Sequence, residues 1–276
     1  MTTERPAVAL LQLRTPTTPA AALAHVEPLA RHAIADGARL VVTPECTNVL
    51  QRSRAELFPQ LRTQDEDVVV TGLQAVARDT GAWILIGSAL VKREDGRAAN
   101  RSLLIDGGGE IVASYDKLHM FDVDLPTGER HRESEAYAAG EGAVVADTPW
   151  GGLGLTVCYD VRFPHLYRAE AKAGARMIAV PAAFTVPTGE AHWEVLLRAR
   201  AIETGAYVLA AAQGGRHEDG RATWGRSMIV DPWGRVLAQA ADDAPQIVSA
   251  ELDLSEVDRV RTAVPALKHD REFALP

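Results

Sequence analysis

The chain alternates between short apolar runs and segments whose apolar residues recur at helical spacing. We predict strands at residues 7–13, 39–42, 82–90, 101–105, 111–115, 152–157, 176–180, 206–212, 227–230 and 247–252. Four helices are predicted at 18–36, 65–80, 163–173 and 190–204, each followed directly by a glycine. Pro28 is expected to bend or split the first helix. This order predicts an α/β fold in which helices pack on a sheet.

The connections between the predicted elements indicate a mixed sheet. Helices join several neighbouring strands, as parallel strands require, whereas the turn sequence Asp231-Pro232-Trp233-Gly234 joins two strands directly. We find no internal repeat and no linker rich in proline, glycine or serine. The sequence therefore predicts a single domain over 1–276.

Composition narrows the possible partners. The 276 residues are 47% hydrophobic and carry a formal net charge of −8, so a broad basic surface for nucleic acid is not expected. The apolar runs are far shorter than the roughly 20 residues that cross a bilayer. The first residues also lack the basic-then-apolar order of a secretory signal, so we expect a cytoplasmic protein without a membrane partner. With two cysteines, Cys46 and Cys158, neither a disulfide scaffold nor a zinc site is expected.

Three chemically useful side chains follow three different apolar runs. Glu45 comes after the strand at 39–42, Lys117 after the strand at 111–115, and Cys158 after the strand at 152–157. Taken singly, they could be a solvated loop glutamate, a surface lysine and an inert buried cysteine. Ligands of open α/β sheets bind at the carboxyl ends of strands. Together the three side chains would supply a base, an oxyanion stabiliser and a nucleophile for acyl transfer.

The surroundings of these side chains refine that hypothesis. A helix predicted soon after Cys158 would expose the sulfur to backbone N–H groups and to a helix dipole, which favour thiolate. Cys46 lacks such a turn and is interpreted as packing. Near Lys117, the side chains of Asp116, His119 and Asp122 are expected to fix loops rather than to bind a metal.

The three segments resemble the signature blocks of the carbon-nitrogen hydrolase, or nitrilase, superfamily. Longer stretches at 158–164, 188–204, 211–217 and 231–234 resemble its amidase branch, which includes deaminated glutathione amidases and omega-amidases. The resemblance implies a four-layer α-β-β-α sandwich with mixed sheets. It makes Glu45 the general base, Lys117 the oxyanion-stabilising lysine and Cys158 the nucleophile.

The resemblance implies further site residues. A second glutamate that supports the triad matches Glu133, with Glu129 and Glu135 as close alternatives. The backbone N–H of Tyr159 is expected to join Lys117 at the oxyanion. The residues expected to contact substrate are Tyr159, Arg162, Phe184, Thr185, Thr188 and His192. Two alternatives stay open, because Arg162 could pair with Asp160 instead and Phe184 could belong to the core.

The function implied is that of a cysteine-dependent amidase. It would convert a small linear amide bearing a carboxylate into an acid and ammonia through a thioester, without cofactor or metal. Deaminated glutathione and omega-amides of 2-oxo acids are the leading substrates. Alternatives are a nitrilase, an N-carbamoyl amino acid hydrolase, or a non-catalytic binding protein on the same fold.

The resemblance also implies a homodimer or a higher homo-oligomer. The helices after Cys158 and at 190–204 would meet the partner, and the tail at 255–276 would reach over it.

Overall fold

The computed structural model describes residues 5–125, 128 and 130–275. The helices are α1 (Pro19–Ala35), α2 (Arg54–Leu57), α3 (Val68–Thr80), α4 (Pro164–Lys172), α5 (Val186–Thr204) and α6 (Ser255–Ala263). The strands are β1 (Ala7–Gln12), β2 (Leu40–Val42), β3 (Trp83–Lys92), β4 (Ala98–Ile105), β5 (Ile111–Asp116), β6 (Asp122–Asp124), β7 (Arg130–Arg132), β8 (Tyr137–Ala138), β9 (Val144–Thr148), β10 (Gly151–Leu155), β11 (Ala175–Ala179), β12 (Tyr207–Ala210), β13 (Gly214–Arg216), β14 (Ala222–Trp224), β15 (Met228–Val230), β16 (Val236–Gln239) and β17 (Gln246–Glu251).

Two large mixed sheets form the centre of the molecule. The first has the order β17-β1-β2-β3-β4-β5, with β8 paired to β4, and the second has the order β16-β15-β12-β11-β10-β9. Strands β1, β2 and β3 run parallel, as do β10, β11 and β12, and the other pairings in the two main paths are antiparallel. The predicted mixed topology is therefore confirmed.

The side chains of β1 show how the layers form. Val8 and Leu10 pack into the cluster shared with the second sheet, whereas Ala9 and Leu11 pack into the cluster formed with α1 and α3. This alternation follows from the period of two in a strand. On the far side, α4 and α5 cover the second sheet and bury Trp193 within the same core. The predicted four-layer α-β-β-α sandwich is confirmed.

All ten predicted strands and four predicted helices are present, and two features differ. The helix α1 runs without interruption through Pro28, so the expected split is wrong. Pro28 and Ala24 lie on the exposed side, where water can satisfy the carbonyl that loses its N–H partner. Seven further strands and the helices α2 and α6 were not predicted, because they are short or mix polar residues with few buried apolar ones.

The C-terminal segment packs on its own subunit. Val257 and Val260 of α6 are buried, and Arg261 donates to the carbonyl of Ala175 at 2.6 Å. The helix α6 is thus partly covered within its own subunit, and the expectation that 255–276 reaches over a partner stays a prediction. Beyond it Phe273 and Leu275 are exposed, and residue 276 lies outside the described residues. None of the described helices combines the length and the apolar composition needed to cross a bilayer.

Candidate active site

The site lies where the ends of the two sheets meet. Glu45 follows β2 of the first sheet, and its Oε2 accepts a hydrogen bond from the backbone N–H of Ala183 at 2.9 Å, after β11 of the second sheet. The Glu45 backbone carbonyl accepts another from Nε2 of Gln213 at 2.9 Å, after β12. Glu45 is therefore held by both sheets.

A glycine permits this close approach. A Cβ placed on Gly87 of β3 would lie 2.0 Å from the carbonyl oxygen of Thr43 and 2.4 Å from Cβ of Pro181. Real Cβ atoms do not approach backbone this closely, so a larger residue at Gly87 would push the two sheet ends apart. The glycine thus sets the position of the loop that carries Glu45.

Four buried or half-buried polar side chains, Glu45, Asn100, Lys117 and Glu133, form what we call the acid–amine cluster. Nζ of Lys117 donates to Oε1 of Glu45 at 3.0 Å and to the Glu133 carboxylate at 2.8 and 3.0 Å. Nδ2 of Asn100 donates to Oε1 of Glu45 at 2.9 Å and to Oε1 of Glu133 at 3.2 Å. Because Lys117 is only 2% exposed, these two carboxylates supply the compensation that a buried ammonium needs.

The cluster fixes the charge states of its members. Burial would raise the pKa of Glu45, but the charge of Lys117 and hydrogen bonds from Cys158, Lys117 and Asn100 outweigh it, so this pKa is lowered. Burial would lower the pKa of Lys117, yet Glu133 and Glu45 raise it well above its usual value. Glu45 is therefore ionised and Lys117 protonated near neutral pH.

Cys158 opens a tight turn directly across from Glu45. It begins a 3₁₀ helix, Cys158–Arg162, and its backbone φ is +51°, in the left-handed region that non-glycine residues rarely adopt. Burial first, and then the negative charge of Glu45, raise the pKa of the Cys158 thiol well above its usual value, while Lys117 opposes this. The expectation of an exposed thiol biased to thiolate is therefore wrong, since the thiol is buried and protonated beside a base.

Asp160 ties this turn to the segment that carries Lys117. Its Oδ2 accepts from the backbone N–H of Val157 at 2.8 Å and from the hydroxyl of Tyr115 at 2.7 Å. Its Oδ1 accepts from the backbone N–H of His119 at 3.1 Å and lies 2.6 Å from Nδ1 of the same residue. The contact shows His119 fixing a loop, as the sequence analysis expected.

Four of the predicted substrate-contact residues form a second group, which we call the rim group: Tyr159, Arg162, Phe184 and His192. The guanidinium of Arg162 lies 5.8 Å from the ring centroid of Tyr159, 5.4 Å from that of Phe184 and 3.4 Å from Nδ1 of His192. The alternative that Arg162 pairs with Asp160 is wrong, because the Asp160 oxygens are taken by other donors. The Phe184 ring is buried and packs against Trp193 at 4.9 Å, so it belongs to the core as well.

Other predicted residues take less central places. The hydroxyls of Thr185 and Thr188 lie 2.8 Å apart at the start of α5. Glu135 is exposed and pairs with Arg54 at 3.1 Å, and Glu129 lies outside the described residues. Of these glutamates the described structure brings Glu133 to Lys117.

The loop carboxylates near Lys117 are held by protein groups. Asp116 accepts from Arg101 at 2.6 Å, and Asp122 accepts from the backbone N–H of Ser134 at 3.0 Å. Within the described ranges, no group of three or more His, Cys, Asp or Glu side chains is arranged to hold a metal ion.

The sequence analysis assigned no role to Asn100 or Gln213 and weighed Asp160 only as a partner of Arg162. Asn100 lies inside the apolar strand β4 and is 2% exposed, and Gln213 is fully buried after β12. A polar residue within or just after an apolar run was the available signal.

Together, the sandwich and the thiol, acid and amine at the seam of its sheets define a protein of the nitrilase superfamily. Residues 7–262 match the carbon-nitrogen hydrolase family, and the chain belongs to that family. It is thus a hydrolase acting on carbon-nitrogen bonds, as the sequence analysis predicted.

Individual relatives agree with this assignment. A deaminated glutathione amidase of Yersinia enterocolitica is 44% identical over 96% of this chain and 92% of that protein. Nit3 of Saccharomyces cerevisiae, a nitrilase superfamily member, superposes with a TM-score of 0.86 at 28% identity over 96% of each chain. A glutamate-to-glutamine variant of the amidase of Nesterenkonia sp. AN1 superposes with a TM-score of 0.78 at 26% identity, over 95% of this chain and 96% of that one. In that protein the acetamide moiety of fluoroacetamide is covalently attached to the active-site cysteine. The expected amidase branch is confirmed.

Proposed function

We propose that this chain is a cysteine-dependent amidase in which Glu45, Lys117 and Cys158 form the catalytic triad and Glu133 supports it. The observation that carries the proposal is the convergence of a protonated thiol, an ionised carboxylate and an ammonium from three strand ends. The substrate is a small linear amide whose acyl part bears a carboxylate. The chemistry needs no metal and no organic cofactor.

Acylation begins with proton transfer. Glu45 accepts the proton of the Cys158 thiol while the sulfur attacks the amide carbonyl carbon, so an S–C bond forms as the C=O π electrons move to oxygen. The raised pKa of Cys158 keeps the proton on sulfur until substrate arrives, and the lowered pKa of Glu45 keeps the base ready.

Lys117 and the backbone N–H of Tyr159 stabilise the oxyanion. Once Glu45 holds the thiol proton, its attraction for the Lys117 ammonium falls, so a proton of Nζ can turn toward the developing charge. Glu133 remains ionically bound to Lys117 at 2.8 Å and keeps Nζ in place. Removal of one such preorganised donor typically costs about 3–4 kcal/mol of transition-state stabilisation.

Collapse of the tetrahedral intermediate breaks the C–N bond, and Glu45 returns its proton to the departing nitrogen. Water activated by Glu45 then attacks the thioester, and the released thiolate recovers its proton. The departing group is ammonia for a primary omega-amide. For deaminated glutathione, whose amide nitrogen is substituted, it is an amine, so the expectation of ammonia holds for the omega-amides alone.

The choice of substrate follows from the relatives and from the rim group. Deaminated glutathione amidases are among the similar proteins. Both deaminated glutathione and 2-oxo acid omega-amides carry a carboxylate on the acyl side of the scissile bond. Arg162 is the cation of the rim group, and a guanidinium binds carboxylate with two parallel hydrogen bonds. Thr185 and Thr188 are proposed to contact the same acyl chain.

The test is detection of the acyl enzyme. The wild-type protein and its Glu45→Gln variant are incubated with deaminated glutathione, a 2-oxo acid omega-amide, a nitrile and an N-carbamoyl amino acid, and intact mass is measured. We expect an acyl adduct on Cys158 of the wild-type protein that forms with the amides alone, and much less of it in Glu45→Gln, where the base that accepts the thiol proton is missing. Cys158→Ala should remain folded and lose turnover.

The matched control for this test is Cys46→Ala, which should keep its turnover. Wild-type product release by Cys158→Ala would overturn the proposal. An adduct with the nitrile or the N-carbamoyl compound in place of the amides would assign another branch of the superfamily.

We also propose that two copies of the chain associate through α5. Val195 and Ile202 lie two turns apart on the same face of this helix at 69% and 56% exposure, and Trp233 is half exposed in the turn next to Ile202. Apolar surface of this kind is usually covered in an assembly. Sedimentation equilibrium should give twice the chain mass, and a monomer at micromolar concentration would contradict the proposal.

A further inference from the structure

Lys117 and Cys158 come from different sheets, and the buried carboxylate of Asp160 lies between the backbone segments that carry them. Asp160 has no exposed surface. Its four hydrogen bonds involve Tyr115 and His119, two residues before and after Lys117, and Val157, the residue before Cys158. The side chains of Lys117 and Cys158 both donate to Glu45, and Asp160 adds a second link, through the backbone of their two segments.

Each oxygen of Asp160 binds the backbone of a different one of the two segments. Oδ2 accepts the backbone N–H of Val157, on the cysteine side, and Oδ1 accepts the backbone N–H of His119, on the lysine side. The Tyr115 hydroxyl and the His119 ring can exchange donor and acceptor roles, whereas a backbone N–H can only donate. Both oxygens must therefore be acceptors for both segments to be held.

We propose that Asp160 is a positioning residue that sets the distance between the Lys117 ammonium and the Cys158 thiol. The inference rests on the catalytic roles proposed above for those two residues. The carboxylate does not touch the reacting atoms, and it acts through the two backbone segments that it joins. Since displacement of a reacting group by about 1 Å can lower a rate about 100-fold, loss of one connection should lower kcat.

The variant Asp160→Asn isolates this function. Whichever way the amide is turned, its NH₂ group faces one of the two backbone N–H donors, so either the cysteine side or the lysine side is released. We expect kcat to fall about 100-fold with KM within about threefold of wild type, and the single-turnover acylation of Cys158 to slow by the same factor. Tyr115→Phe keeps both backbone bonds but removes one connection on the lysine side, so it should lower kcat by a smaller factor, about three- to tenfold.

The matched control is Asp67→Asn. Asp67 is also buried and accepts two backbone N–H groups, from Val69 at 2.9 Å and Val70 at 3.0 Å, but it caps α3 on the outer face of the first sheet. This variant should lose thermal stability and keep kcat within about twofold, since only distortion near the reacting groups slows the chemistry.

A wild-type kcat in Asp160→Asn, or an equal loss of kcat in Asp67→Asn, overturns the inference. If Asp160→Asn fails to fold, Tyr115→Phe decides, because an unchanged acylation rate there overturns the inference and a slower one at constant KM supports it. Failure of the proposed function gives a different result, in which no acyl adduct forms on Cys158 of the wild-type protein.

Discussion

Two buried carboxyl groups near the site, those of Glu45 and Glu170, have pKa values shifted in opposite directions. Glu45 accepts hydrogen bonds from Lys117, Asn100 and the Ala183 backbone, and its pKa is lowered although burial opposes this. Glu170 of α4 is 1% exposed, and among the described residues no donor reaches either of its oxygens. Burial, followed by the negative charge of Asp160, raises the pKa of Glu170 well above its usual value.

The difference teaches what a buried acid needs in order to stay ionised. Desolvation penalises both carboxylates, and only donors can compensate for it. The donors of Glu45 come from β4, from the end of β5 and from the chain after β11, so the whole sandwich must be assembled before the charge is stable. Glu170 lies over Gly154 of β10, where an added Cβ would be 2.4 Å from its Oε2. Because no donor in the described part of the chain reaches it there, Glu170 is neutral in the fold.

The largest expected effect comes from removing the ammonium that compensates Glu45. Lys117→Met leaves two carboxylates buried against each other, so we expect a loss of about 3–5 kcal/mol in the free energy of unfolding. Turnover should fall at least about 100-fold, since the proposed oxyanion donor is lost as well. Urea denaturation and steady-state kinetics measure the two effects.

The exposed Lys92 provides the matched control for that variant. Lys92→Met should change the free energy of unfolding by less than about 0.5 kcal/mol. Unaltered stability in Lys117→Met would show that Glu45 does not depend on its buried partner for its charge.

A smaller effect is expected from Asn100→Leu, which removes one donor from both Glu45 and Glu133. Loss of hydrogen bonds to charged acceptors should cost about 1–3 kcal/mol of stability. The pKa of Glu45 should rise, because Asn100 helps to lower it. Glu45 must be ionised to act as base, so the acid limb of kcat/KM should move to higher pH, and this limb is measured between pH 4 and 7.

The stability of the wild-type protein should also fall as the pH is lowered. A carboxyl with a lowered folded-state pKa stabilises the fold above its unfolded pKa, and that contribution is lost as pH falls through the folded value. An acid limb of Asn100→Leu that coincides with the wild-type limb would mean that Glu45 is not the titrating base.

The smallest effect is expected at Glu170. A carboxyl with a raised folded-state pKa is neutral in the fold, so stability falls as pH rises from the unfolded pKa toward the folded one. Tyr115 and Tyr167, which face it, also have raised pKa values and stay neutral. Glu170→Leu should therefore raise stability by about 1–2 kcal/mol at pH 7.

The pH dependence supplies the control for Glu170→Leu. The gain in melting temperature should grow between pH 5 and pH 8. Over this range only the wild-type protein has a buried carboxyl that must stay neutral in the fold while it ionises in the unfolded chain. A gain that stays constant over this range would indicate better packing alone.

The sequence predicted the three central groups because each follows an apolar run, and the ends of such runs meet where sheets meet. It also indicated Glu133 beside Lys117, through the family resemblance, but it did not predict the donors Asn100 and Ala183 that help to compensate Glu45. The donors of Glu45 lie 55 to 138 positions away along the chain, as with Asn100 and Ala183, and no local pattern carries that information. For Asp160 the sequence indicated its neighbour Arg162 as a possible partner. Its actual partner Tyr115 is 45 positions away.

The same limit applied to the fold. The predicted strands were recognised as apolar runs and the four helices as longer segments that end at a glycine, and their order was sufficient for the layers. The strand pair β6–β7 has three residues on each side, and α6 buries only Val257 and Val260 among charged residues. Glu170 occupies a helix position that would be read as solvent-facing, and its burial depends on how α4 rests on β10.

The left-handed backbone at residue 158 sets the nucleophile against the conformational preference of its own chain. Any L-residue with a side chain is disfavoured there by roughly 1–2 kcal/mol, and glycine is not. The residue best suited to this turn is therefore one that carries no sulfur. Substitution of Cys158 by glycine would therefore relieve the strain of this turn and remove the proposed nucleophile in one step.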